Sequence, residues 1–394
     1  MKKYLIILIS LFLFSCEEAE VIDPIVYTCQ LSGPDNSDMH PNKAELEIAM
    51  EKIGQVTAGV QIAIKDKNGL SLLGAYGMAD IPNNVALSVC HKTMVGSISK
   101  TFTAVLIMQL QDEGLLSIDD MLKDHLSQEV IGEIANANEV SIRQLLNHTS
   151  GIRDYLGVEH YLEALNTPFL QLSQEEKLRY IYGKKSAYEV GEQYAYSNTN
   201  YVLLGLIVEA RRNMSLWNAV EAYISQPLGL ESTEMGTHDM PIPAGTARPY
   251  RNIRGNKFED VMGLAVSDAA TGDGGIASNM QDLTLFFEAL FGGQLLSEAS
   301  FNQMHDSEMI EVGEGWEDFP QWPNEAYGLG LSLWNTPYGI AYGHTGSTTT
   351  YEAYSFYFPA EGISISIGYN GSGPNDFGDM QRELREELFR IAFE

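Results

Sequence analysis

The sequence is poor in cysteine and lacks the short spacings that are typical of a metal site. Its 394 residues include three cysteines and eight histidines, with no Cys-x-x-Cys, His-x-His or His-x-x-x-His. A scaffold held together by several disulfides is therefore excluded, and we expect no metal and no cofactor. The mainly apolar run at residues 4–14 is too short to span a bilayer as a helix.

Positive charge is also scarce, above all in the C-terminal third. The chain carries 24 Lys and Arg against 53 Asp and Glu, and residues 258–381 contain eighteen acidic residues but no Lys or Arg. The formal net charge of −29 excludes electrostatic binding of nucleic acid. A substrate carboxylate would therefore need either a protonated His344 within this segment or Arg153 from the helical half as its cation.

The N-terminus predicts export and lipid anchoring. Lys2 and Lys3 precede the apolar run, which is typical of a signal peptide over residues 1–15. Leu13-Phe14-Ser15-Cys16 resembles a bacterial lipoprotein cleavage site. We therefore expect Cys16 to be lipidated and to anchor the protein to a bacterial membrane, in the periplasm or at the cell surface. A plain secretory signal is the alternative.

The rest of the chain is predicted to be a tether, residues 16–42, followed by one domain, residues 43–394. An exported Cys29 and Cys90 could form one disulfide. Periodicity predicts strands near both ends of the domain and mostly helices over residues 115 to about 270. This order implies one sheet built from both ends of the chain, with the helical region packed beside it and a ligand site in the cleft between them.

Ser97 and Lys100 have the spacing of a nucleophile and its base. They precede the apolar run at residues 102–110, which predicts a buried helix, and residues three apart on a helix share one face. The helix N-terminus favours negative charge near the Ser97 oxygen. An enclosed Lys100 needs a partner or loses its proton, and either state suits a group that accepts the proton of Ser97.

Two later segments could complete such a site. Tyr196-Ser197-Asn198 directly precedes an apolar helix, so Tyr196 could join a proton relay and Asn198 could bind Lys100 or a substrate amide. Tyr250-Arg251-Asn252 has the same spacing but lies in a loop-like stretch. His344-Thr345-Gly346-Ser347 offers further polar groups from a strand. The chain has no Gly-x-Ser-x-Gly, which argues against an α/β-hydrolase.

Ser-x-x-Lys, Tyr-x-Asn and His-Thr-Gly, in this order along the chain, resemble the serine β-lactamase-like family, which includes class C β-lactamases, D-Ala-D-Ala carboxypeptidases, D-aminopeptidases and related esterases. The resemblance implies a mixed α/β fold. An antiparallel sheet flanked by helices would stand beside an all-helical region, with the active site in the cleft between them. It implies a serine hydrolase that acts through an acyl-enzyme. The catalytic residues would be Ser97, Lys100 and Tyr196, and the substrate-binding residues Asn198, His344, Thr345, Gly346 and Ser347.

The resemblance favours a D-Ala-D-Ala carboxypeptidase, a penicillin-binding-protein-like enzyme or a β-lactamase-related enzyme that acts on a small molecule or a cell-wall peptide. His344 in place of a Lys leans away from a dedicated class C β-lactamase. At an unperturbed pKa of about 6.5, we expect His344 to be the main cation on the strand side of the cleft. A carboxylesterase on neutral esters and a non-catalytic binder of peptidoglycan or a partner are the alternatives. Whether Lys100 or Tyr196 is the primary base stays open.

Overall fold

The structure is a computed structural model, and it describes residues 29–252, 257–307, 309–313, 318–319, 322, 325–373 and 377–394. The predicted signal peptide and Cys16 lie outside the described residues. The α-helices are α1 Lys43–Gly54, α2 Ser99–Asp112, α3 Gln128–Ile131, α4 Ile142–Leu146, α5 Val158–Asn166, α6 Gln174–Leu178, α7 Asn198–Arg212, α8 Leu216–Val220, α9 Gln226–Leu228, α10 Met262–Ala265, α11 Met280–Phe291, α12 Glu298–Asn302 and α13 Phe377–Phe393. The strands are β1 Gly59–Lys65, β2 Ser71–Asp80, β3 Val85–Ala86, β4 Thr93–Met94, β5 Glu234–Met235, β6 Tyr250–Asn252, β7 Phe258–Asp260, β8 Ile276–Ser278, β9 Ile310–Glu311, β10 Ala326–Tyr327, β11 Ser332–Thr336, β12 Gly339–Ser347, β13 Glu352–Phe358, β14 Ile363–Tyr369 and β15 Gly371–Ser372.

The central sheet is built from both ends of the chain, as the sequence predicts. Its strand order is β3-β2-β1-β14-β13-β12-β11-β10-β9, and neighbouring strands are antiparallel. The register at the centre pairs Ile62 of β1 with Ile367 of β14. The predicted mixed α/β fold is confirmed.

Helices cover both faces of this sheet, and its central strands β1 and β14 are buried along almost their whole length. On one face, Val60, Ile62 and Ile64 of β1 pack in one cluster with residues of α1 and α13. On the other face, Ala63 belongs to the cluster that contains α11 and the helical region. Along β1 the large apolar residues alternate with Gln61 and Ala63, yet nearly every residue is buried because both faces are covered.

Helix α2 lies in the centre of the helical cluster. It is apolar over most of its circumference, and Phe102 stacks on Phe286 of α11 with ring centroids 3.7 Å apart. Helix α11 begins at Met280, and Asn279 is its N-cap. Asn279 accepts a hydrogen bond from the backbone N–H of Asp282, whereas Ser278 belongs to β8.

The segment before α1 packs against the domain instead of standing apart from it. A disulfide joins Cys29 and Cys90, whose Cα atoms are 5.1 Å apart. Ser32 Oγ donates a 2.6 Å hydrogen bond to Asp282 Oδ1, and Gly33 N donates to Gln281 Oε1. Residues 29–42, which the sequence assigned to the tether, therefore belong structurally to the domain. Among the described helices, none has both the length and the apolar content of a membrane span.

Candidate active site

Ser97 and Lys100 lie together where the chain enters α2. Ser97 occupies a short 3-10 turn, Gly96–Ile98, and Lys100 lies in the first turn of α2. Lys100 Nζ is 3.0 Å from Ser97 Oγ, 2.7 Å from Asn198 Oδ1 and 2.8 Å from the carbonyl oxygen of Asp273. A deprotonated amine keeps two N–H donors for Asn198 and Asp273, which leaves its lone pair for the hydroxyl of Ser97.

The surroundings of Lys100 lower its pKa towards neutral pH. Its side chain is fully buried, and burial lowers the pKa of Lys100 to about 8 from an ordinary 10.5. The negative charges of Asp273 and Asp154 limit this fall. A Lys with such a pKa is partly neutral at physiological pH and can act as a base.

Asn198 links Lys100 to a buried carboxylate. Its Nδ2 donates to Asp154 Oδ2 at 2.9 Å while its Oδ1 accepts from Lys100. These two bonds fix the orientation of the Asn198 amide. Burial raises the pKa of Asp154 to about 6, so the carboxylate is mainly ionised above neutral pH.

A second buried carboxylate, that of Asp273, lies near Lys100, and the sequence analysis assigned it no role. Asp273 Oδ2 accepts a 2.8 Å hydrogen bond from the Tyr155 hydroxyl. Burial would raise the pKa of Asp273, but the charges of Lys177 and Lys100 outweigh it and hold that pKa below its usual value. Lys177 is itself fully buried and donates to Thr271 Oγ1 at 2.9 Å.

Tyr196 reaches the site from the segment before α7. Its ring centroid lies 4.9 Å from Lys100 Nζ, and among the described residues its buried hydroxyl has no hydrogen-bond partner. Burial raises the pKa of Tyr196 well above its usual value, against an opposing influence from the nearby Ser97 hydroxyl. The phenol is therefore neutral and can donate a proton.

His148 packs against this tyrosine. The His148 and Tyr196 ring centroids are 4.2 Å apart, and His148 Nδ1 accepts from the backbone N–H of Ser197 at 3.2 Å. The sequence analysis assigned no functional role to His148, which lies in the turn Asn147-His148-Thr149-Ser150-Gly151.

Two glycines let the turn at Ser97 approach the end of β12. A Cβ on Gly346 would lie 1.9 Å from the Val95 carbonyl oxygen and 3.3 Å from the Ser97 nitrogen. Gly96 has φ +51°, and its Cβ would lie 2.9 Å from the Ser347 nitrogen. The backbone nitrogens of Ser97 and Ser347 therefore lie close together because neither glycine carries a side chain.

His344 lines the site but does not carry the charge that the sequence analysis expected. It is 2% exposed, and burial lowers its pKa to about 3, with a further decrease from Lys100. Its Nδ1 lies 2.5 Å from the Thr345 carbonyl oxygen, which can only accept, so Nε2 accepts from the Tyr327 hydroxyl at 2.9 Å. The expectation of a cationic His344 is wrong because its burial excludes the charged form.

Thr345 contacts an acidic group of the protein. Its Oγ1 donates to Asp318 Oδ2 at 2.9 Å, and the Asp318 backbone N–H donates to Glu325 Oε1 at 3.1 Å. Asp318 is exposed as a whole residue, yet the protein around its carboxyl raises its pKa to about 6. Burial and the charge of Asp318 raise the pKa of Glu325 to about 7.

Two cavities meet at Ser97 and Ser347. We call the first, of about 300 Å³, the strand-side cavity; it is lined by Ser97, Tyr194, Tyr196, Asp318, Glu325, Tyr327, Ser332, His344, Thr345 and Ser347. We call the second, of about 320 Å³, the helix-side cavity; it is lined by Gly96, Ser97, Tyr155, Leu156, Tyr161, Asn198, Asp273, Gly274, Ser347, Thr348 and Thr349. All eight predicted site residues of the domain except Lys100 and Gly346 line one or both, and those two lie directly behind Ser97.

Two residues that the sequence analysis considered, Arg153 and Tyr250, do not line the two cavities at Ser97. Arg153 lines a neighbouring cavity that shares Tyr196 with the strand-side cavity and Tyr155 and Leu156 with the helix-side cavity. Tyr250 is a buried residue of β6 whose hydroxyl accepts from the Ile81 N–H. A cavity of about 800 Å³ lies between α1 and α13 and shares no lining residue with the two at Ser97. Among the described residues, no group of His, Cys, Asp or Glu is placed to hold a metal ion.

The chain is similar to known proteins in both sequence and fold. A family model described as Beta-lactamase matches residues 46–389. Penicillin-binding protein 4* of Bacillus subtilis (strain 168) is 27% identical over 262 residues, which are 61% of this chain and 55% of that protein. The match thus spans about half the length of this curated relative.

Solved structures share the fold over nearly the whole chain. A D-stereospecific amidohydrolase from Streptomyces sp. is 26% identical with a TM-score of 0.72, over 90% of this chain and 99% of that one. D-amino acid amidase from Ochrobactrum anthropi SV3 has a TM-score of 0.75 at 22% identity, over 89% of this chain and 98% of that one. At that identity the second likeness shows the fold alone.

Proposed function

Because this chain belongs to the Beta-lactamase family of serine hydrolases, we propose that it hydrolyses an amide or ester through an acyl-enzyme on Ser97. The observation that carries the proposal is the buried amine of Lys100, 3.0 Å from Ser97 Oγ and with a pKa lowered to about 8. A Ser hydroxyl is a weak nucleophile until an adjacent base accepts its proton.

The first half of the reaction forms the acyl-enzyme. Ser97 Oγ bonds to the carbonyl carbon while its proton passes to neutral Lys100. Tyr196 gives its phenolic proton to the leaving group as the bond to that group breaks, and Lys100 then returns a proton to Tyr196. Lys100 is the better primary base, because the pKa of Tyr196 is raised and that of Lys100 is lowered.

The second half consumes one water. Its oxygen bonds to the acyl carbon, the bond to Ser97 Oγ breaks, and the water proton that is lost returns to Ser97 through the same relay. The N–H groups of Ser97 and Ser347 serve as the oxyanion hole, and each such donor typically lowers the barrier by about 3 kcal/mol.

The cleft supports a substrate without a carboxylate near the reacting carbonyl. Among the described residues, no Lys or Arg lines either cavity at Ser97, and His344 is neutral. This favours an amide or a neutral ester over a D-Ala-D-Ala peptide or a β-lactam, each of which carries a carboxylate. The amidohydrolase named above is described as D-stereospecific, so paired D- and L-amides belong among the first substrates tested.

The test is intact-mass analysis after exposure to a fluorophosphonate, a fluorescent penicillin and a p-nitrophenyl ester. We expect a single fluorophosphonate adduct and little penicillin adduct. Ser97→Ala should abolish labelling, whereas Ser127→Ala, an exposed serine outside the cleft, should not. Labelling by penicillin at a comparable rate would restore the carboxypeptidase or β-lactamase alternative. A well-folded protein that no probe labels would be the non-catalytic binder.

We further propose that the protein works outside the cytoplasm, anchored through Cys16. The disulfide between Cys29 and Cys90 supports export, because such bonds persist in oxidising compartments.

A further inference from the structure

The strand-side cavity combines aromatic rings and carboxylates beside the nucleophile. We propose that it binds an ammonium group carried by the leaving group of the substrate. The inference rests on the proposed acyl-enzyme function and goes beyond it by naming a substrate class: acyl donors with an apolar acyl group and a cationic leaving group.

The position of Tyr196 indicates which cavity takes the leaving group and which takes the acyl group. Tyr196 lines the strand-side cavity and is absent from the lining of the helix-side cavity. The group that protonates the leaving group must face it, so the leaving group occupies the strand-side cavity. The buried Tyr196 hydroxyl has no hydrogen-bond partner among the described residues that meets the distance and angle of a hydrogen bond, and the side chain lines this cavity.

The lining of this cavity suits a cation. Tyr194, Tyr196 and Tyr327 lie around it, with ring centroids 5.8 Å apart for Tyr194 and Tyr327 and 6.2 Å apart for Tyr196 and Tyr327. Aromatic rings of this kind, together with carboxylates, are how proteins recognise ammonium ligands. Asp318 and Glu325 supply the carboxylates.

Other charges near the cavity do not cancel these carboxylates. His344 is neutral, and Lys100 lies behind the Tyr196 ring, held by Ser97, Asn198 and Asp273. An ammonium in the cavity would favour the ionised forms of Asp318 and Glu325, whose pKa values are raised by burial.

The bond between Thr345 and Asp318 opposes a substrate carboxylate. The Thr345 hydroxyl, which the sequence analysis expected to bind substrate, already donates to Asp318 Oδ2 at 2.9 Å. A substrate carboxylate would have to displace a protein carboxylate from this hydroxyl and then remain beside it. An ammonium can approach Asp318 without breaking that bond, because a carboxylate oxygen accepts more than one hydrogen bond.

The helix-side cavity, left for the acyl group, has exposed apolar surface in its lining. Leu156 and Tyr161 line it and are 43% exposed each. An aryl acyl group can cover both side chains, which makes phenylacetyl a suitable common acyl group for the test.

The test compares three phenylacetyl esters that differ only in the leaving group: choline, its neutral isostere 3,3-dimethylbutanol, and glycolate. We expect kcat/KM to be about tenfold higher for the choline ester than for the neutral ester, and lowest for the glycolate ester. In Asp318→Asn the choline preference should fall to within about twofold. Asp239→Asn, which removes one fully exposed charge outside both cavities, should retain it.

Tetramethylammonium gives a second readout that requires no cationic substrate. It should inhibit hydrolysis of the neutral ester competitively, and about tenfold more weakly in Asp318→Asn. Equal rates for the three esters, or a choline preference that survives in Asp318→Asn, would overturn the inference. Fluorophosphonate labelling of Ser97 is independent of the leaving-group cation, so its loss would instead overturn the proposed function.

Discussion

Removing the charge of Asp154 should move the pH dependence of acylation to lower pH. The Asp154 carboxylate is held to Lys100 through Asn198, with hydrogen bonds of 2.9 Å and 2.7 Å on the two sides of the amide. Its negative charge raises the pKa of Lys100, and burial lowers it. Asp154→Asn removes the charge and keeps an amide oxygen that can accept from Asn198.

The magnitude follows from the separation of the two charges. With the amide between them, the charges lie about 7 Å apart, and at an effective dielectric constant of about 20 their attraction is about 2.4 kcal/mol. One pKa unit corresponds to about 1.4 kcal/mol, so the pKa of Lys100 should fall by about one to two in the variant.

The assay is the second-order rate of fluorophosphonate labelling between pH 6 and 10. Neutral Lys100 is the active base, so the wild-type rate should rise with pH through about 8. In Asp154→Asn the rise should occur at lower pH, whereas Asp239→Asn should keep the wild-type midpoint. An unchanged midpoint in Asp154→Asn, or one shifted to higher pH, would refute the assignment of Lys100 as a base tuned by this carboxylate.

Three further predictions concern His344, the disulfide and the anchor. His344→Gln should leave the shape of the pH–rate profile between pH 5 and 7.5 unaltered, because the pKa of His344 is lowered to about 3; an inflection near pH 6.5 that the variant loses would contradict this. Cys90→Ser opens a loop closed over a separation of 61 residues, and urea unfolding should show a loss of up to about 4 kcal/mol; an equal midpoint for variant and wild type would mean that the bond does not constrain the unfolded chain. Cys16→Ser should release the protein from the membrane fraction, and retention after a high-salt wash would place the anchor elsewhere.

The sequence was most informative where local pattern and burial agree. The apolar run after Lys100 predicted a buried helix, and α2 is the centre of the helical cluster. Alternating apolar residues predicted β1, and β1 pairs with β14 from the other end of the chain. Such patterns depend on the spacing of apolar residues within one helix or strand, which can be read directly from the sequence.

What the sequence could not show depends on contacts between distant segments. Asp154, in the loop before α5, and Asp273, in the loop before β8, come close to Lys100 only when these loops fold against α2. The charge state of His344 was misjudged because its residue type implies a pKa near neutrality, whereas its 2% exposure removes the charge. Burial is a property of the tertiary structure, and one sequence does not reveal it.

Labelling of Ser97 by a fluorophosphonate tests the central claim most directly. Intact mass and peptide mapping of the wild-type protein should show one adduct, located on the peptide that contains Ser97, and Ser97→Ala should show none. A labelled residue other than Ser97, or a Ser97→Ala variant that keeps most of the wild-type turnover, would contradict the account.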